Sequence, residues 1–179
     1  MVYTTHYASP LGDLLLAERD GALAGLWLQG QKYFLGSVQN EPTARDESPV
    51  FIQTKQWLDL YFAGEQPAIN ELTLAPAGRD FRRAVWKILC EIPYGQVITY
   101  VDISKKIAAG RGTENMSAQA VGGAVGHNPI SIIIPCHRVV GTNGSLTGYA
   151  GGLDKKIKLL TLEGADLSRL FVPKKGTAL

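Results

Sequence analysis

Three short apolar stretches at the start of the chain carry the pattern of β-strands. They cover residues 2–7, 14–17 and 22–28, and the connections at residues 9–12 and 20–21 are typical turn sequences containing Pro, Asp and Gly. Strands joined by such short turns pair with their neighbours. The first thirty residues therefore predict an antiparallel meander.

A helix is predicted for residues 49–63, immediately after Ser48, which is a favourable N-cap residue. Pro49 suits the first helical position, and Gly64 ends the pattern. The chain then becomes rich in Pro, Ala and Gly. We place a domain boundary after residue 77, with an N-terminal sheet-and-helix domain before it.

The second domain, residues 78–179, is predicted to be mostly helical. Thr99 and Asp102 stand at capping-box spacing, Gly110 is expected to end that helix, and Ser117 can cap the next one. Two short helices joined by a loop are typical of a helix-turn-helix, so the predicted fold class is α+β with a winged-helix-like second domain. The predicted helices cover residues 80–90, 100–109, 118–126 and 153–162.

The segment 118–126 consists almost wholly of small residues, including Gly122 and Gly123. Each of these glycines costs roughly 1 kcal/mol of helix propensity relative to alanine. A helix without bulky side chains can approach a nucleic-acid backbone closely, or it can pack tightly on a neighbouring element of the protein. The sequence leaves both interpretations open.

Composition narrows the class of protein. Of the 179 residues, 45% are hydrophobic and 19% are charged, which excludes a disordered, collagen-like or coiled-coil chain. No apolar run could span a bilayer and no signal peptide is recognisable, so we expect a soluble cytoplasmic protein that does not bind membranes. Two cysteines are too few for a disulfide-stapled fold, and Cys90, without a neighbouring histidine, is predicted to be a buried structural thiol.

Charged residues are unevenly distributed along the chain. Residues 1–77 carry four Lys/Arg and nine Asp/Glu, whereas residues 78–179 carry fourteen Lys/Arg and seven Asp/Glu. A cationic half of this kind indicates a nucleic-acid partner, although basic helix faces that are merely solvated give the same balance.

Residues 130–140 contain the most informative chemistry. The β-branched run at their start predicts a buried strand that ends at Pro135 and presents Cys136 and His137 at its tip. Successive residues of an extended chain point to opposite faces, so this thiol and imidazole need a turn or a bridging water to interact. Glu163 is a candidate for the group that orients the imidazole.

The second half of the chain contains a series of short motifs in a defined order. They are Ile92-Pro93-Tyr94-Gly95, Ala120-Val121-Gly122-Gly123-Ala124, Asn128-Pro129, Pro135-Cys136-His137-Arg138-Val139 and Tyr149-Ala150-Gly151-Gly152. In this order they resemble the O6-alkylguanine-DNA alkyltransferase family. The first half of the chain resembles the family's variable N-terminal domain only in its size and its strand-then-helix order.

This resemblance implies a repair protein that turns an O6-alkylated guanine out of duplex DNA and transfers the alkyl group irreversibly to Cys136, once per molecule. It implies that His137 deprotonates Cys136 through a water molecule and that Glu163 holds His137 in the required tautomer. Tyr100 would donate a proton toward guanine N3. Asn128 would be the hinge between the recognition helix and the active-site loop.

The same resemblance implies the cofactor requirement, the partner and the remaining site residues. No metal or cofactor is implied, because the reaction is an in-line displacement at an alkyl carbon. The implied partner is double-stranded DNA containing O6-alkylguanine, with O4-alkylthymine as a second candidate lesion, and the protein is expected to act as a monomer. The guanine pocket would be formed by Val139, Tyr149, Ala150 and Gly151, and DNA would be contacted by Gln119, Ala120, Gly122, Gly123 and Arg138.

Three features depart from the common family pattern. Gln119 stands where most members carry an arginine, the loop at 111–116 is longer, and the first half lacks the cysteines with which some members bind zinc, so no zinc is expected. Two other functions fit parts of the sequence, namely a lesion sensor that transfers nothing and a cysteine hydrolase. The retained Cys136 argues against the sensor, and no oxyanion-hole pattern supports the hydrolase.

Overall fold

The computed structural model describes residues 1–39 and 41–174, and the chain forms two compact units. The first unit consists of residues 1–77 and 129–133, and the second consists of residues 78–128 and the chain from residue 134 onward. The sequence did not predict that residues 129–133 belong with the first unit. Residues 175–179, at the end of the predicted second domain, lie outside the described residues.

A four-stranded sheet with the order β3-β2-β1-β4 forms the centre of the first unit. β1, β2 and β3 form the predicted antiparallel meander. Gly12, in the turn between β1 and β2, has φ 106°, a left-handed conformation that favours glycine. The short β4 was not predicted, because two residues cannot show an alternating pattern. The strands are β1 (Val2–Ser9), β2 (Gly12–Arg19), β3 (Ala22–Leu28) and β4 (Thr43–Ala44).

α1 (Pro49–Phe62) packs against β1, β2 and β3. The hydroxyl of Ser48 accepts a hydrogen bond from the Phe51 amide at 3.1 Å, which confirms the predicted N-cap. Phe51 and Leu58 are fully buried, as their shared helix face predicts. Each such side chain contributes about 1.5–3 kcal/mol on burial, so this face holds the helix on the sheet.

Four α-helices, one turn of 3₁₀ helix at Cys136–Arg138 and a small sheet make up the described secondary structure of the second unit. The predicted capping box at Thr99 and Asp102 is present, and the Ser117 hydroxyl accepts from the Ala120 amide at 3.2 Å. α3 and α4 pack against each other, as in a helix-turn-helix. The helices are α2 (Asp80–Cys90), α3 (Tyr100–Arg111), α4 (Ala118–Gly126) and α5 (Leu153–Leu162), and the parallel sheet pairs β5 (Ile98–Thr99) with β6 (Val139–Val140).

α3 continues past Gly110, where the sequence predicted its end. Gly112, with φ 65°, is the left-handed residue that ends the helix. A single glycine inside a helix costs only about 1 kcal/mol, so it does not stop a helix that packs well. Within residues 1–39 and 41–174, no helix has the length and apolar character needed to cross a membrane.

One face of α4 is used for packing within the protein. Trp86 of α2 donates its indole N–H to the carbonyl oxygen of Ala124 at 2.8 Å. On the other side, Gln119 and Ala120 are exposed. A Cβ placed on Gly123 would meet no described atom within 4 Å, so internal packing does not require a glycine there. Tight packing therefore explains one face of this small-residue helix and leaves the other open to a partner.

Candidate active site

The predicted strand at the start of the 130–140 segment is wrong, because the chain turns sharply there. Ile132 has φ 71°, and the Ile133 amide donates to the Ser131 carbonyl oxygen at 2.8 Å, which makes a γ-turn of the rare type with positive φ. The apolar run is buried throughout. A continuous buried run does not distinguish a strand from a buried turn, so the sequence pattern was ambiguous.

A second turn presents Cys136. Pro135, with φ −81° and ψ 65°, is the centre of an inverse γ-turn in which the Cys136 amide donates to the Ile134 carbonyl oxygen at 2.8 Å. Cys136 then begins a single turn of 3₁₀ helix, Cys136–Arg138. The thiol therefore sits on a turn, which was one of the two routes by which the sequence allowed Cys136 and His137 to interact.

Asn128 joins this turn to the end of α4. Its side-chain amide donates to the Ile134 carbonyl oxygen at 2.7 Å and to the Cys136 sulfur at 3.2 Å. Both Asn128 and Cys136 are buried. A buried amide with both of its N–H groups engaged holds the sulfur in one position and is a ready donor to a thiolate.

His137 and Glu163 form a buried pair. The Nε2 atom of His137 lies 2.6 Å from Oε1 of Glu163, and both side chains have no exposed surface. Because an ionised carboxylate only accepts hydrogen bonds, Nε2 carries the proton and Nδ1 carries the lone pair of the neutral imidazole. Nδ1 is buried and has no hydrogen-bond partner among the described residues.

Glu163 is held by several donors besides His137. Arg138 donates through Nε at 2.8 Å and Nη2 at 3.0 Å, and the Gly95 amide donates at 3.2 Å. Burial opposes ionisation of Glu163, but the bonds from His137 and Arg138 hold the pKa of its carboxyl well below the usual range. Gly95 has φ 74°, and a Cβ there would lie 2.7 Å from the Glu163 carbonyl oxygen, so the site requires a glycine.

The DNA-contacting role expected for Arg138 is not supported by its position. Arg138 is buried, and besides its bonds to Glu163 it donates through Nη1 to the Ile92 carbonyl oxygen at 2.6 Å. A guanidinium committed to a buried carboxylate and a buried carbonyl is not available to a phosphate. Its two bonds to the Glu163 carboxylate hold that side chain in place instead.

Burial keeps both the thiol and the imidazole neutral in the resting site. It raises the pKa of Cys136, although the Asn128 hydrogen bond and the nearby Lys156 charge act in the opposite direction. It also lowers the pKa of His137, against the raising effect of Glu163. Transfer of the proton from the neutral thiol to the neutral imidazole creates a thiolate and an imidazolium, and it needs both charges to be stabilised. Lys156 is placed to stabilise the thiolate, and Glu163 is placed to stabilise the imidazolium.

Lys156 is the functional residue that the sequence interpretation missed. A lysine in an amphipathic helix is ordinarily exposed, yet Lys156 is fully buried and donates to the carbonyl oxygens of Val139 at 2.5 Å and Thr147 at 2.8 Å. Burial lowers its pKa to about 8. The spacing along the helix indicated this burial. Lys156 lies three residues after Leu153 and four before Leu160, which places it on the apolar face of the helix.

A cavity of about 300 Å³ lies against α3 and α4, and Lys156 reaches its wall through the bond to Thr147. Cys136 is not among its lining residues, nor are Val139, Tyr149, Ala150 and Gly151, which were expected to form the guanine pocket. The Tyr100 hydroxyl lies 3.3 Å from the Thr147 carbonyl oxygen at the wall of the cavity. Burial and the neighbouring Cys136 raise the pKa of Tyr100 to about 12, so its phenol stays protonated. Residues that line the cavity include Tyr100, Ala118, Gln119, Gly122, Thr142 and Thr147.

Tyr149 stacks edge-on against His137, with ring centroids 6.4 Å apart. Its hydroxyl is buried without a hydrogen-bond partner among the described residues, and burial together with nearby Cys136 and Glu163 raises its pKa well above the ordinary value. Ala150 and Gly151 follow it, half-buried, before α5. Within the described residues, no group of three or more His, Cys, Asp or Glu side chains is arranged to hold a metal ion.

Both halves of the chain match models of one protein family. Residues 80–165 match the DNA binding domain of 6-O-methylguanine DNA methyltransferase, and residues 1–76 match its ribonuclease-like domain. The methylated-DNA–protein-cysteine methyltransferase of Methanosarcina barkeri is 43% identical over 160 residues, 89% of this chain and 95% of the relative. That of Haemophilus influenzae is 38% identical over 162 residues, 90% and 86% of the two chains. The crystal structure of Mycobacterium tuberculosis OGT in complex with DNA is 39% identical, with a TM-score of 0.76 and 94% of each chain covered.

Proposed function

The chain belongs to the 6-O-methylguanine DNA methyltransferase family, and we propose that it repairs O6-alkylguanine in duplex DNA by transferring the alkyl group to Cys136. Its relatives are named methylated-DNA–protein-cysteine methyltransferases, so the protein acts in DNA repair by moving an alkyl group from DNA to one of its own cysteines. Cys136 as that cysteine, the lesion, and the tasks of the surrounding residues are our proposals.

The observation that carries the assignment of Cys136 is the hydrogen bond from Asn128 to its sulfur, beside the buried His137–Glu163 pair. Cys90, the other cysteine, ends α2 and is half-buried rather than buried as predicted. Burial raises the pKa of both thiols, to about 11 for Cys90, so the hydrogen bond to the sulfur is what distinguishes them. Only Cys136 has an amide donor at its sulfur among the hydrogen bonds of the described residues. A thiolate formed at Cys136 is therefore stabilised where it forms.

Transfer is a displacement at the alkyl carbon. The Cys136 sulfur attacks the carbon attached to guanine O6, a sulfur–carbon bond forms, and the carbon–oxygen bond breaks with its electron pair going to the guanine. The thiol proton passes through a water to Nδ1 of His137, whose buried lone pair is oriented for it by Glu163. The ionised Glu163 then stabilises the imidazolium.

Tyr100 serves the leaving group. Its phenol lies at the wall of the cavity and stays protonated, so it can donate toward N3 of a guanine bound there. The departing guanine then leaves as a neutral base rather than as a full anion, and the proton that His137 took from the thiol returns through water to the Tyr100 phenolate. Tyr149 packs edge-on against His137, and we propose that its ring forms a further wall for the bound base.

DNA would meet the open face of α4. Gln119 is exposed and lies at the cavity, and Ala120 and Gly123 next to it add no bulk that would keep a DNA backbone away. The alkylated base would turn out of the stack into the cavity, which costs a few kcal/mol of unstacking. The fourteen Lys/Arg of residues 78–179 supply the attraction to phosphates. We also propose that one copy suffices and that the reducing cytoplasm keeps Cys136 a thiol.

The test is the stoichiometry of transfer. With excess O6-methylguanine duplex, product should rise to one equivalent of protein and stop, because a thioether has no good leaving group. The intact mass should increase by one methylene, and peptide mapping should place it on Cys136.

Two variants sharpen this test. Cys136→Ser should bind the lesion duplex and transfer nothing, since an alcohol is too weakly acidic to replace a thiol. Cys90→Ser should transfer one equivalent like the wild type. Repeated turnover, or an adduct on Cys90, would contradict the proposal.

A further inference from the structure

Residues 129–133 make backbone contacts that the chemistry above does not use. The Leu26 amide donates to the Pro129 carbonyl oxygen at 2.8 Å, and the Ser131 amide donates to the Leu26 carbonyl oxygen at 2.9 Å. Ile130, between them, forms a parallel bridge with Leu26 and is fully buried. The segment is thereby hydrogen-bonded to β3 on both sides of Ile130.

Gln31 adds a side-chain anchor to the same segment. Its Oε1 atom accepts from the Ser131 hydroxyl at 3.2 Å and from the Leu28 amide at 2.8 Å. Gln31 is 7% exposed and Ser131 is 1% exposed, so water does not replace a lost partner at this position. The pair therefore ties Ser131 to the end of β3.

Only a few bonds separate the anchored Ser131 from the reactive sulfur. The Ser131 carbonyl oxygen closes the γ-turn at Ile132, and the Ile134 carbonyl oxygen accepts from both Cys136 and Asn128. A positive φ is unfavourable for a β-branched residue such as Ile132, and it persists only where the surroundings impose it. The anchor before this turn and the Asn128 bond after it impose that conformation.

We propose that Gln31 and Ser131 are positioning residues for Cys136. Their hydrogen bond fixes residues 129–133, and this segment keeps the Ile134 carbonyl and the Asn128 amide in their places at the sulfur. Neither residue touches substrate. The proposal rests on the proposed function for the reaction it serves, but it concerns what holds the acceptor rather than which residue accepts.

Loss of the anchor has a defined chemical consequence. If residues 129–133 move, the Asn128 amide no longer stays within reach of the sulfur, and the thiolate loses a donor that is stronger for an anion than for a thiol. The thiol then becomes harder to ionise, so transfer slows and its pH dependence moves upward. The other groups that act on Cys136, which both variants leave in place, are Lys156 of α5, Tyr100 of α3, Tyr149 and its neighbour His137.

The experiment uses the full chain carrying Cys90→Ser. Ser131→Ala and Gln31→Met remove the anchor, and Ser48→Ala is the matched control, because it removes one buried hydroxyl from the cap of α1 in the same unit. Two quantities are measured: the single-turnover transfer rate against pH with an O6-methylguanine duplex, and amide hydrogen exchange in peptides spanning residues 128–138.

We expect Ser131→Ala and Gln31→Met to slow transfer about tenfold near neutral pH, to raise the midpoint of the pH–rate profile by about one pH unit, and to speed exchange in the peptides. Gln31→Glu keeps the acceptor for Ser131 but loses the Nε2 donor to the Lys32 carbonyl oxygen, so it should lie closer to the wild type than Gln31→Met does. Ser48→Ala should lower the melting temperature without changing either quantity.

The proposal is overturned if the two anchor variants match Ser48→Ala in rate, pH profile and exchange. It is also overturned if the effects of Ser131→Ala and Gln31→Met add fully in the double variant, since two ends of one bond cannot act independently. Should Gln31→Met not fold, Ser131→Ala alone decides, because it removes a single oxygen. If the wild type transfers no methyl group, the proposed function fails, and the exchange data still decide the positioning.

Discussion

The Nζ atom of Lys156 lies 2.5 Å from the carbonyl oxygen of Val139 and 2.8 Å from that of Thr147. It thereby ties the residue that follows the Cys136–Arg138 turn to a residue of the cavity wall, and the lysine side chain has no exposed surface. A buried ammonium beside a thiol affects both the titration of the lysine and the ease of forming the thiolate.

The stability of the protein should depend on pH through Lys156. Burial lowers its pKa from 10.5 to about 8, so the unfolded chain holds more protons than the folded protein between these values. The free energy of unfolding should therefore rise with pH across this window, by at most about 3 kcal/mol. Urea unfolding at pH 7.5, 8.5 and 9.5 should show this slope in the wild type and in Lys155→Met. If the unfolding free energies of Lys156→Met and the wild type rise equally with pH, the pH dependence comes from other groups.

Lys156→Met should also slow alkyl transfer. The ammonium favours the thiolate of Cys136, so its removal raises the pKa of the thiol. We expect a rate at least about tenfold lower at neutral pH, with part of the loss recovered at higher pH. Single-turnover kinetics between pH 6 and pH 9 measure both effects. A uniform loss at every pH would indicate a purely structural role.

Glu163→Gln should destabilise the protein by roughly 3–5 kcal/mol at neutral pH, because it leaves Arg138 buried without its counter-charge. The pKa of this carboxyl is lowered on folding, so the stability it contributes is present above its unfolded value near 4.5 and is lost as pH falls below it. The gap between wild type and variant should therefore narrow from pH 7 to pH 3 in denaturant titrations. Glu91→Gln, at an exposed position, is the control, and its free energy of unfolding should differ little from that of the wild type at every pH.

Tyr100→Phe should slow transfer by about 10²-fold while leaving DNA binding unchanged, because it removes a proton donor and keeps the ring. Tyr94→Phe removes a hydroxyl outside the cavity, 3.4 Å from the Leu162 carbonyl oxygen, and should transfer at nearly the wild-type rate. Single-turnover rates and duplex affinities of the two variants distinguish these outcomes. A normal rate for Tyr100→Phe would remove this phenol from the mechanism.

Gln119→Arg should strengthen duplex binding, because it adds a cation at the exposed edge of the cavity. If the new guanidinium neutralises one phosphate, the plot of log affinity against log salt should steepen by about 0.9. Gln66→Arg adds the same charge at an exposed position of the first unit and should change the slope less. Identical slopes for the two variants would show that position 119 has no special access to DNA.

Local signals in the sequence were sufficient for most of the secondary structure. The meander, the Ser48 cap and the Thr99–Asp102 capping box were predicted correctly, because turns, caps and alternation depend on residues close together in the chain. The adjacent Cys136 and His137 also marked the candidate site, since a thiol next to an imidazole is visible in the sequence itself. The family was identified from its ordered motifs.

Tertiary structure alone decided how that site is built. Several features of the site were not predicted: the burial of Lys156 and Arg138, the bonds that Arg138 and Gly95 donate to Glu163, the γ-turns before Cys136, and the membership of residues 129–133 in the first unit. Most of these features depend on groups far apart in the chain: Arg138 reaches Ile92, and Gln31 reaches Ser131. From the local sequence, a basic side chain is expected to be exposed and an apolar run is expected to be a strand. Whether water reaches these residues depends on how the whole chain packs, so their burial and conformation could be known only from the tertiary structure.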